Sequence, residues 1–264
     1  RSLVGSEMCI RDRREFVLRP LNEIASQWKH PTLKLTVEQL LAPFKEGTLL
    51  QKPFKNWSPS IFSTFTFLVI EGNIGAGKTT LSQQIASHFD ALIMLEKFVD
   101  NPHLVPFYKN PKAHAKALET YFLKGRSNAI SFFWKKNQAT KVVADFSFFK
   151  SAIFAQNNLS SADFTLFYSD YEAALEKHPL PSLVLYLEAP ISFYLKRIKQ
   201  RARPFEQKIT IDYLEKIEEG YDAFFRNNPD IPVLKISVEN RDFKNNPYDF
   251  QWLLRRISAF ATLS

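Results

Sequence analysis

The residues with the clearest chemical potential are 72–79, which read GNIGAGKT and match the pattern G-x-x-x-x-G-K-[ST]. Three of the seven glycines of the chain lie within this stretch. Glycines let the backbone turn tightly and direct its N–H groups toward phosphate oxygens, and a helix that follows adds its positive N-terminal end. An apolar run at 65–70 precedes the stretch, as such a loop requires. The pattern therefore predicts a loop that binds the phosphates of a nucleoside triphosphate.

The same pattern assigns a role to each end of the loop. Lys78 is expected to reach the β- and γ-phosphates, and the hydroxyl of Thr79 is expected to hold Mg²⁺. Motor proteins, switch GTPases and small-molecule kinases all use this loop, so it leaves the reaction open. The residues predicted to bind the nucleotide here are Gly72, Asn73, Ile74, Gly75, Ala76, Gly77, Lys78, Thr79 and Thr80.

Strand-like and helix-like segments alternate around this loop. The predicted strands are short continuous apolar runs, as expected for a sheet that is covered on both faces. They lie at 65–70, 91–95, 141–145, 183–187 and 233–236. The predicted helices lie at 78–88, 112–136, 148–156, 162–177, 191–200, 211–226 and 247–260. This alternation predicts an α/β fold of the P-loop NTPase type, with three layers and a five-stranded parallel sheet flanked by helices.

Composition narrows the class of partner. The 264 residues carry a formal charge of +8, which suits nucleotides, nucleic acid or acidic membranes. The positive charges are spread along the chain without a basic block, so we expect no nucleic-acid partner. No apolar run reaches the roughly 20 residues that span a bilayer, so we expect no membrane partner either. Cys9 is the only cysteine, which excludes a disulfide within the chain and favours a cytoplasmic protein.

From residue 62 to residue 263 the chain resembles the deoxynucleoside kinases, beginning with IEGNIGAGKTTL at 70–81. The resemblance implies an ATP-dependent enzyme that transfers the γ-phosphoryl group to the 5′-hydroxyl of a deoxynucleoside in nucleotide salvage. It implies ATP and Mg²⁺ as cofactors and a homodimer packed through long helices. Base preference stays open, with a mild lean toward purines.

Two stretches of the resemblance concern the acceptor nucleoside. In LEKFVDNPHLVPFYKNP, residues 95–111, Glu96 matches the family's general base and Tyr108 matches an aromatic that contacts the sugar 3′-hydroxyl. In LETYFLKGR, residues 118–126, Glu119 and Arg126 share a helix face, and Arg126 matches an arginine near the base. Many relatives carry glutamine at position 119. An ionised carboxylate can only accept hydrogen bonds, so this departure bears on base preference.

A third stretch, residues 141–159, reads KVVADFSFFKSAIFAQNNL. Asp145 ends a strand in the place of a carboxylate linked to Mg²⁺. Phe146 stands where animal relatives carry an arginine, and Lys150 is interpreted as a replacement charge. The D-x-x-F-x-K-x-x-I-F-A form resembles the branch found in Bacteroidetes-type bacteria. Phe154 matches an aromatic that stacks on the base, with plain core packing as the alternative.

The fourth stretch, residues 197–217, carries three arginines at a helix end, Arg197, Arg201 and Arg203. The resemblance implies a lid that closes over the phosphates, in which these guanidinium groups neutralise the charge of the transferring group. Arg203 is counted among the catalytic residues with Glu96 and Lys78. Glu206 matches a lid glutamate that bonds the 3′-hydroxyl. Residues 239–250 match the loop that covers the adenine of ATP.

The segments before the kinase region suggest a composite chain. Residues 1–13 resemble a translated sequencing adapter, residues 14–41 resemble the C-terminal end of hydroxymethyldihydropteridine pyrophosphokinase, and residues 42–60 read as a linker. We expect the kinase domain at 61–264. Two alternatives stay open. The chain could belong to a bifunctional fusion that is named for the folate-pathway pyrophosphokinase, or it could be a nucleotide-binding module without catalysis.

Overall fold

The computed structural model describes residues 18, 21–22, 25–31, 33–42, 61–98, 101–137 and 141–261. Two compact units divide between Pro59 and Ser60. The predicted adapter at 1–13 and residues 43–60 of the predicted linker lie outside the described residues. No helix in the described ranges is long and apolar enough to cross a membrane.

The first unit contains a short helix, α1 (Val37–Leu41), with a complete capping box. The Thr36 hydroxyl accepts from the backbone N–H of Gln39, and the Gln39 side chain accepts from the backbone N–H of Thr36. Such reciprocal bonds satisfy two N–H groups that a helix start leaves free. The buried side chains of Leu18, Val37 and Leu40 form a small apolar cluster. The described part of this unit thus has a local core of its own.

The second unit alternates strands and helices. Its strands are β1 (Phe67–Gly72), β2 (Leu92–Met94), β3 (Val142–Ala144), β4 (Leu183–Glu188) and β5 (Val233–Ser237). Its first helices are α2 (Ile61–Thr64), α3 (Lys78–Phe89), α4 (Leu104–Lys109), α5 (Pro111–Lys136) and α6 (Lys150–Asn158). The later ones are α7 (Ser161–Leu175), α8 (Ile191–Arg201), a 3₁₀ helix (Pro204–Lys208), α9 (Ile211–Asn227) and α10 (Pro247–Ala261).

The five strands form one sheet in the order β2-β3-β1-β4-β5, and all neighbouring strands are parallel. Strand β1 lies at the centre, where Val69 is in register with Ala144 on one side and Val184 on the other. Every residue of β1 is buried. The predicted five-stranded parallel sheet flanked by helices is confirmed.

Both faces of the sheet are covered because successive side chains of a strand point to opposite faces. Leu68 and Ile70 of β1 pack into a cluster with α3, α8 and α10. Phe67 and Val69 pack into a second cluster with α5, α6, α7 and α9. The resulting layers are helix, sheet and helix, which explains why the strands are apolar runs without alternation.

This topology places the polar residues of interest at one edge of the sheet. The glycine-rich loop follows β1, Glu96 follows β2 and Asp145 follows β3. In an open parallel sheet the ligand crevice lies outside the carboxyl ends of the strands. The three segments therefore converge on one crevice.

Some elements differ from those predicted by sequence. The predictions contain no helix at α2, at α4 or in the 3₁₀ segment. In α4, Pro106 lies in the first turn, where its missing N–H costs nothing, so a residue that usually breaks helices is tolerated. Helix α6 begins at Lys150 rather than at residue 148, and the two phenylalanines ahead of it, Phe148 and Phe149, are buried in the core.

A buried carboxylate in β1 connects three parts of the second unit. Glu71 is fully buried and accepts hydrogen bonds from the backbone N–H and the hydroxyl of Ser147, at 2.7 and 2.6 Å. Its other oxygen accepts from the hydroxyl of Tyr221 in α9, at 2.7 Å. A buried carboxylate is tolerated only where donors surround it. Glu71 thus fixes both α9 and the segment after β3 to the central strand.

We expect Tyr221→Phe to lower the free energy of unfolding by about 1–3 kcal/mol, because it leaves one oxygen of Glu71 buried without a donor. Urea unfolding measures the change. Tyr171→Phe is the matched control, since that ring is also buried but its hydroxyl makes no hydrogen bond within the described part of the chain. Equal effects of the two substitutions would contradict a role for the Tyr221 hydroxyl.

Candidate active site

The glycine-rich loop has a backbone that side chains would disrupt. Gly72 and Gly77 adopt φ angles of 145° and 97°, which L-residues with side chains rarely adopt. A Cβ at Gly72 would lie 2.6 Å from the carbonyl oxygen of Leu187, and one at Gly77 would lie 2.9 Å from Nη1 of Arg197. These two glycines let the loop approach β4 and α8 closely.

Lys78 begins α3 and turns back over the loop. Its Nζ donates to the carbonyl oxygens of Gly72 and Asn73, at 2.8 and 2.9 Å. Burial, together with the nearby positive charge of Lys150, lowers the pKa of Lys78 to about 8, although nearby carboxylates oppose the shift. Phosphate oxygens bound at the loop would favour the charged form of this lysine.

The side chain of Asn73 bonds both the loop and α9, and its Oδ1 accepts from the backbone N–H of Ile74 at 2.9 Å. It is fully buried, and its Nδ2 donates to the carbonyl oxygen of Leu214 and to Oε2 of Glu218, both at 2.8 Å. Oε1 of Glu218 accepts from the hydroxyl of Tyr186 in β4. The side chain of Asn73 therefore attaches the loop to α9, a contact that the motif did not reveal.

Thr79 and Asp145 are adjacent at the floor of the site. The hydroxyl of Thr79 donates to Oδ2 of Asp145 at 2.5 Å, and Oδ1 of Asp145 accepts from the backbone N–H of Glu96 at 2.7 Å. A hydroxyl and a carboxylate are the oxygen donors that Mg²⁺ prefers when phosphates and water complete its shell. The donor set at the loop thus fits the predicted ion.

Glu96 lies between two buried cations. Its Oε1 accepts from Nη2 and Nε of Arg126 at 2.6 and 2.8 Å, and its Oε2 accepts from Nζ of Lys150 at 2.6 Å. Burial alone would raise the pKa of Glu96, but Lys150 and Arg126 outweigh it and lower the pKa to about 2. The carboxylate is therefore ionised at neutral pH.

The two cations hold Glu96 from different helices. Arg126 of α5, which is expected near the base, pairs with Glu96 and donates through Nη1 to the hydroxyl of Ser151. Lys150 of α6 supplies a second positive charge at Glu96. Phe146 is buried in the apolar layer that includes Phe67 and Val69 of β1. The side chain of Phe146 thus contributes packing.

A cavity of about 400 Å³ extends from the glycine-rich loop past Glu96 to α4, α5 and α9. Most of the predicted site residues line it, namely Ile74, Gly75, Gly77, Lys78, Thr79, Thr80, Glu96, Tyr108, Glu119, Arg126, Asp145, Phe154, Arg201, Arg203 and Glu206. The other predicted residues, Gly72, Asn73, Ala76 and Arg197, do not line it. One space therefore adjoins both the phosphate loop and the residues expected to hold an acceptor.

At the end far from the loop, Glu119 is almost fully buried. Its Oε1 accepts from Nδ2 of Asn158 at 2.7 Å, and its Oε2 has no hydrogen-bond partner among the described residues. Burial raises the pKa of Glu119 to about 7, against the hydrogen bond from Asn158. Phe154, one turn before Asn158 on α6, both lines the cavity and packs against the core.

The lid segment presents two of its three arginines to this cavity. Arg201 and Arg203 both pair with Glu206, at 2.5 and 3.2 Å, and Glu206 is buried between them. The ring of Tyr108 stacks on Phe205, with centroids 6.0 Å apart. Glu206 and Tyr108, both expected at the sugar, thus lie on the same side of the cavity.

Arg197 lies elsewhere. It is one helical turn before Arg201 on α8, with its guanidinium 4.7 Å from the centre of the Phe193 ring. It lines a second cavity of about 310 Å³ with Gln84, Arg241 and Phe243. Three arginines close in sequence are therefore divided between two cavities.

Sequence reasoning missed Asn158, Phe205 and Tyr213, which also line the main cavity. Asn158 follows Phe154 by four residues, so helical spacing alone could have placed it on the same face. Phe205 precedes Glu206 and is apolar within a charged segment, which is a weaker signal. No feature of the sequence pointed to Tyr213, because the pattern of α9 accounts for it as a residue of the apolar face.

Comparison with known proteins agrees with this geometry. The family model described as deoxynucleoside kinase matches residues 68–262. The chain belongs to the deoxynucleoside kinase family. It is 34% identical over 197 residues to a deoxyguanosine kinase of Bacillus subtilis, covering 72% of this chain and 94% of that protein. A deoxyadenosine kinase of Lactobacillus acidophilus is 30% identical over 193 residues, covering 68% and 88%.

A solved deoxynucleoside kinase has the same fold. The structure of deoxyadenosine kinase from M. mycoides with bound dATP superposes with a TM-score of 0.63 at 25% identity. The match covers 72% of this chain and 98% of that one. The predicted family is confirmed, and with it an enzyme that transfers a phosphoryl group to an alcohol acceptor. The individual residue roles stay predictions.

We expect Lys150→Met to raise the pKa of Glu96, because the carboxylate keeps its burial but loses one of its two cations. The ionised form persists down to about pH 2 in the wild type. In the variant the ionised form of Glu96 is lost at a higher pH than in the wild type. Activity is therefore expected to fall at a higher pH when the solution is acidified. Phosphoryl transfer from ATP to a deoxynucleoside, measured between pH 5 and 8, tests this.

Lys116→Met is the control for that experiment, because Lys116 forms an exposed ion pair with Asp163. An exposed pair contributes little, so the pH profile is expected to stay unchanged. A Lys150→Met profile that runs parallel to the wild type at all pH values would contradict the role of Lys150 in the ionisation of Glu96.

Proposed function

We propose that this member of the deoxynucleoside kinase family transfers the γ-phosphoryl group of ATP to the 5′-hydroxyl of a deoxynucleoside. The observation that carries the proposal is the cavity in which a phosphate-binding loop and the ion-paired carboxylate of Glu96 face the same space. In-line transfer requires the donor phosphate and the acceptor hydroxyl to meet at such a carboxylate. The names of the curated relatives support a deoxynucleoside as the acceptor.

On the donor side, the backbone N–H groups of the loop and the ammonium of Lys78 bind the phosphates. Thr79 and Asp145 would hold Mg²⁺, and the bound ion would neutralise part of the negative charge of the phosphates. Arg197 lines the second cavity beside the loop, with Phe243 and Arg241 from the segment after β5. We assign this cavity to the adenosine part of ATP, in agreement with the expected adenine loop.

On the acceptor side, Tyr108 and Glu206 hold the sugar 3′-hydroxyl, and Phe154 stacks on the base. Glu119 and Asn158 lie deeper in the same end of the cavity, where the edge of the base would reach. Arg126 acts on the acceptor through Glu96, which it orients with two hydrogen bonds. The role of Arg126 is therefore to position Glu96, the general base.

Glu96 receives the proton of the 5′-hydroxyl. A carboxylate with a pKa of about 2 is a weak base, yet phosphoryl transfer passes through a loose transition state in which the nucleophile needs little activation. Orientation of the hydroxyl and a late proton transfer are then sufficient. Arg201 and Arg203 stabilise the charge on the group in transfer, and their pairing with Glu206 keeps both guanidinium groups at the cavity.

We also propose that residues 14–41 are the remnant of a pyrophosphokinase that the sequence suggests. The separate apolar cluster of Leu18, Val37 and Leu40 and the division of the chain after Pro59 support an independent origin for this unit. A homodimer packed through the long helices is proposed from the family resemblance. The exposed side chain of Phe132 on α5 supports it.

The function is tested with the purified full chain, ATP–Mg²⁺ and each of the four deoxynucleosides, by measuring formation of the 5′-monophosphate. We expect transfer to at least one purine deoxynucleoside. Binding of ATP without transfer to any deoxynucleoside would contradict the proposal and favour a nucleotide-binding module.

We expect Glu96→Gln to retain ATP binding and to lose turnover by about 10²–10⁴-fold, because the amide cannot accept the hydroxyl proton. Calorimetry measures ATP binding, and monophosphate formation measures turnover. Glu172→Gln, at an exposed position of α7, is the control and is expected to keep wild-type turnover. Unchanged turnover in Glu96→Gln would exclude Glu96 as the base.

A further inference from the structure

Asn73 is the centre of the hydrogen bonds within the phosphate loop. Its carbonyl oxygen accepts from the backbone N–H of Ala76 at 3.2 Å and from Nζ of Lys78 at 2.9 Å. Its side-chain Oδ1 accepts from the backbone N–H of Ile74 at 2.9 Å. The turn of the loop and the ammonium group expected to bind the phosphates therefore both depend on where Asn73 lies.

The amide nitrogen of Asn73 is held from outside the loop. Its Nδ2 carries two hydrogens, and these are accepted by the carbonyl oxygen of Leu214 and by Oε2 of Glu218, both at 2.8 Å. Asn73 is fully buried, so its amide depends on acceptors that the protein supplies. Glu218 is the ionisable one of the two acceptors, and a hydrogen bond to an ionised acceptor is roughly twice as strong as a neutral one.

Glu218 is itself fixed to the sheet. Its Oε1 accepts from the hydroxyl of Tyr186 in β4 at 2.8 Å, and Tyr186 is buried. Each oxygen of the carboxylate thus has a partner, and the bonds run from the sheet through α9 to the phosphate loop. Among the described residues that line the main cavity and the second one, Glu218 does not occur. An effect of Glu218 on a ligand in either cavity must therefore pass through another residue.

We propose that Glu218 is a positioning residue for the phosphates of ATP, and that it acts through the side-chain amide of Asn73. It fixes the carbonyl group that holds Lys78 and the turn of the loop before the nucleotide arrives. A site that is fixed in advance loses less freedom when it binds, so its affinity is higher. The inference rests on the proposed function and adds to it a residue more than a hundred positions from the glycine-rich motif.

Helix α9 allows this role to be distinguished from a general structural one. Tyr213, one residue before Leu214, lines the main cavity at the end expected to hold the acceptor. A substitution that only loosened α9 would therefore disturb both the donor and the acceptor side. Loss of the bond to Asn73 is expected to disturb the donor side alone.

Glu218→Met in the full chain tests the proposal, because methionine keeps the length of the side chain and removes both acceptor oxygens. Calorimetry with ATP–Mg²⁺ and no acceptor is expected to give a Kd about tenfold above that of the wild type. In the transfer assay, KM for each deoxynucleoside that the wild type phosphorylates is expected to stay unchanged. Glu219→Met, at the exposed neighbouring position of α9, is the control and is expected to bind ATP as the wild type does.

Glu218→Gln is the conservative variant. Its Oε1 can still accept from Nδ2 of Asn73, while its amide N–H donates to the hydroxyl of Tyr186. We therefore expect it to recover most of the affinity for ATP that Glu218→Met loses. Circular dichroism shows whether each variant is folded, and Glu218→Ala, which leaves room for water, replaces Glu218→Met if the latter does not fold.

A double-mutant cycle tests whether the effect passes through Asn73. When Glu218→Met is added to Asn73→Ala, we expect no further loss of ATP affinity, since the bond is already absent. Unchanged ATP affinity in Glu218→Met, an equal rise in the acceptor KM, or additive losses in the double variant would overturn the proposal. Failure of the wild type to bind ATP or to phosphorylate any deoxynucleoside would instead contradict the proposed function.

Discussion

The pairing of Glu96 with Arg126 and Lys150 is the interaction around which the site is arranged. It joins the end of β2 to the long helix α5 and to α6, and the backbone N–H of Glu96 extends it to Asp145 at the end of β3. Arg126 and Lys150 are buried and the side chain of Glu96 is only 13% exposed, so loss of any one leaves an uncompensated charge in a medium of low dielectric constant. The ends of two strands and two helices are therefore held at fixed positions relative to the phosphate loop by electrostatics.

The second cation at Glu96 comes from a helix that packs beside the sheet. Phe146, directly after Asp145, is an apolar side chain buried in the same layer as Phe67 and Val69 of β1. The positive charge comes from Lys150 at the start of α6, with its Nζ 2.6 Å from Glu96. The long side chain of Lys150 thus lets a residue of α6 pair with a carboxylate that follows β2.

Much of the fold could be predicted because its signals are local. Strands such as 65–70 and 183–187 are unbroken apolar runs, and the glycine pattern at 72–79 requires a strand before it and a helix after it. Helix α4 could not be predicted, because Pro106 argues against a helix until its place in the first turn is known. The sequence suggested which residues lie near the phosphate loop, but it could not give the partners that they contact. The contact of Arg126 with Glu96 joins α5 to the segment after β2, and helical spacing within α5 cannot reveal it.

The polar contacts of α9 bear on the segment between α8 and α9. Tyr221 bonds Glu71 of β1, while Leu214 and Glu218 bond Asn73 of the phosphate loop, so α9 is attached to the central strand and to the loop at several points along its length. On the other side of the segment, Ala202 ends α8 with a left-handed backbone at φ 53°. Arg203 and Glu206 thus lie on a short connection that begins at residue 202 and ends at the Thr210 cap of α9. Because α9 is also bonded to the phosphate loop, this connection and the loop share one anchor.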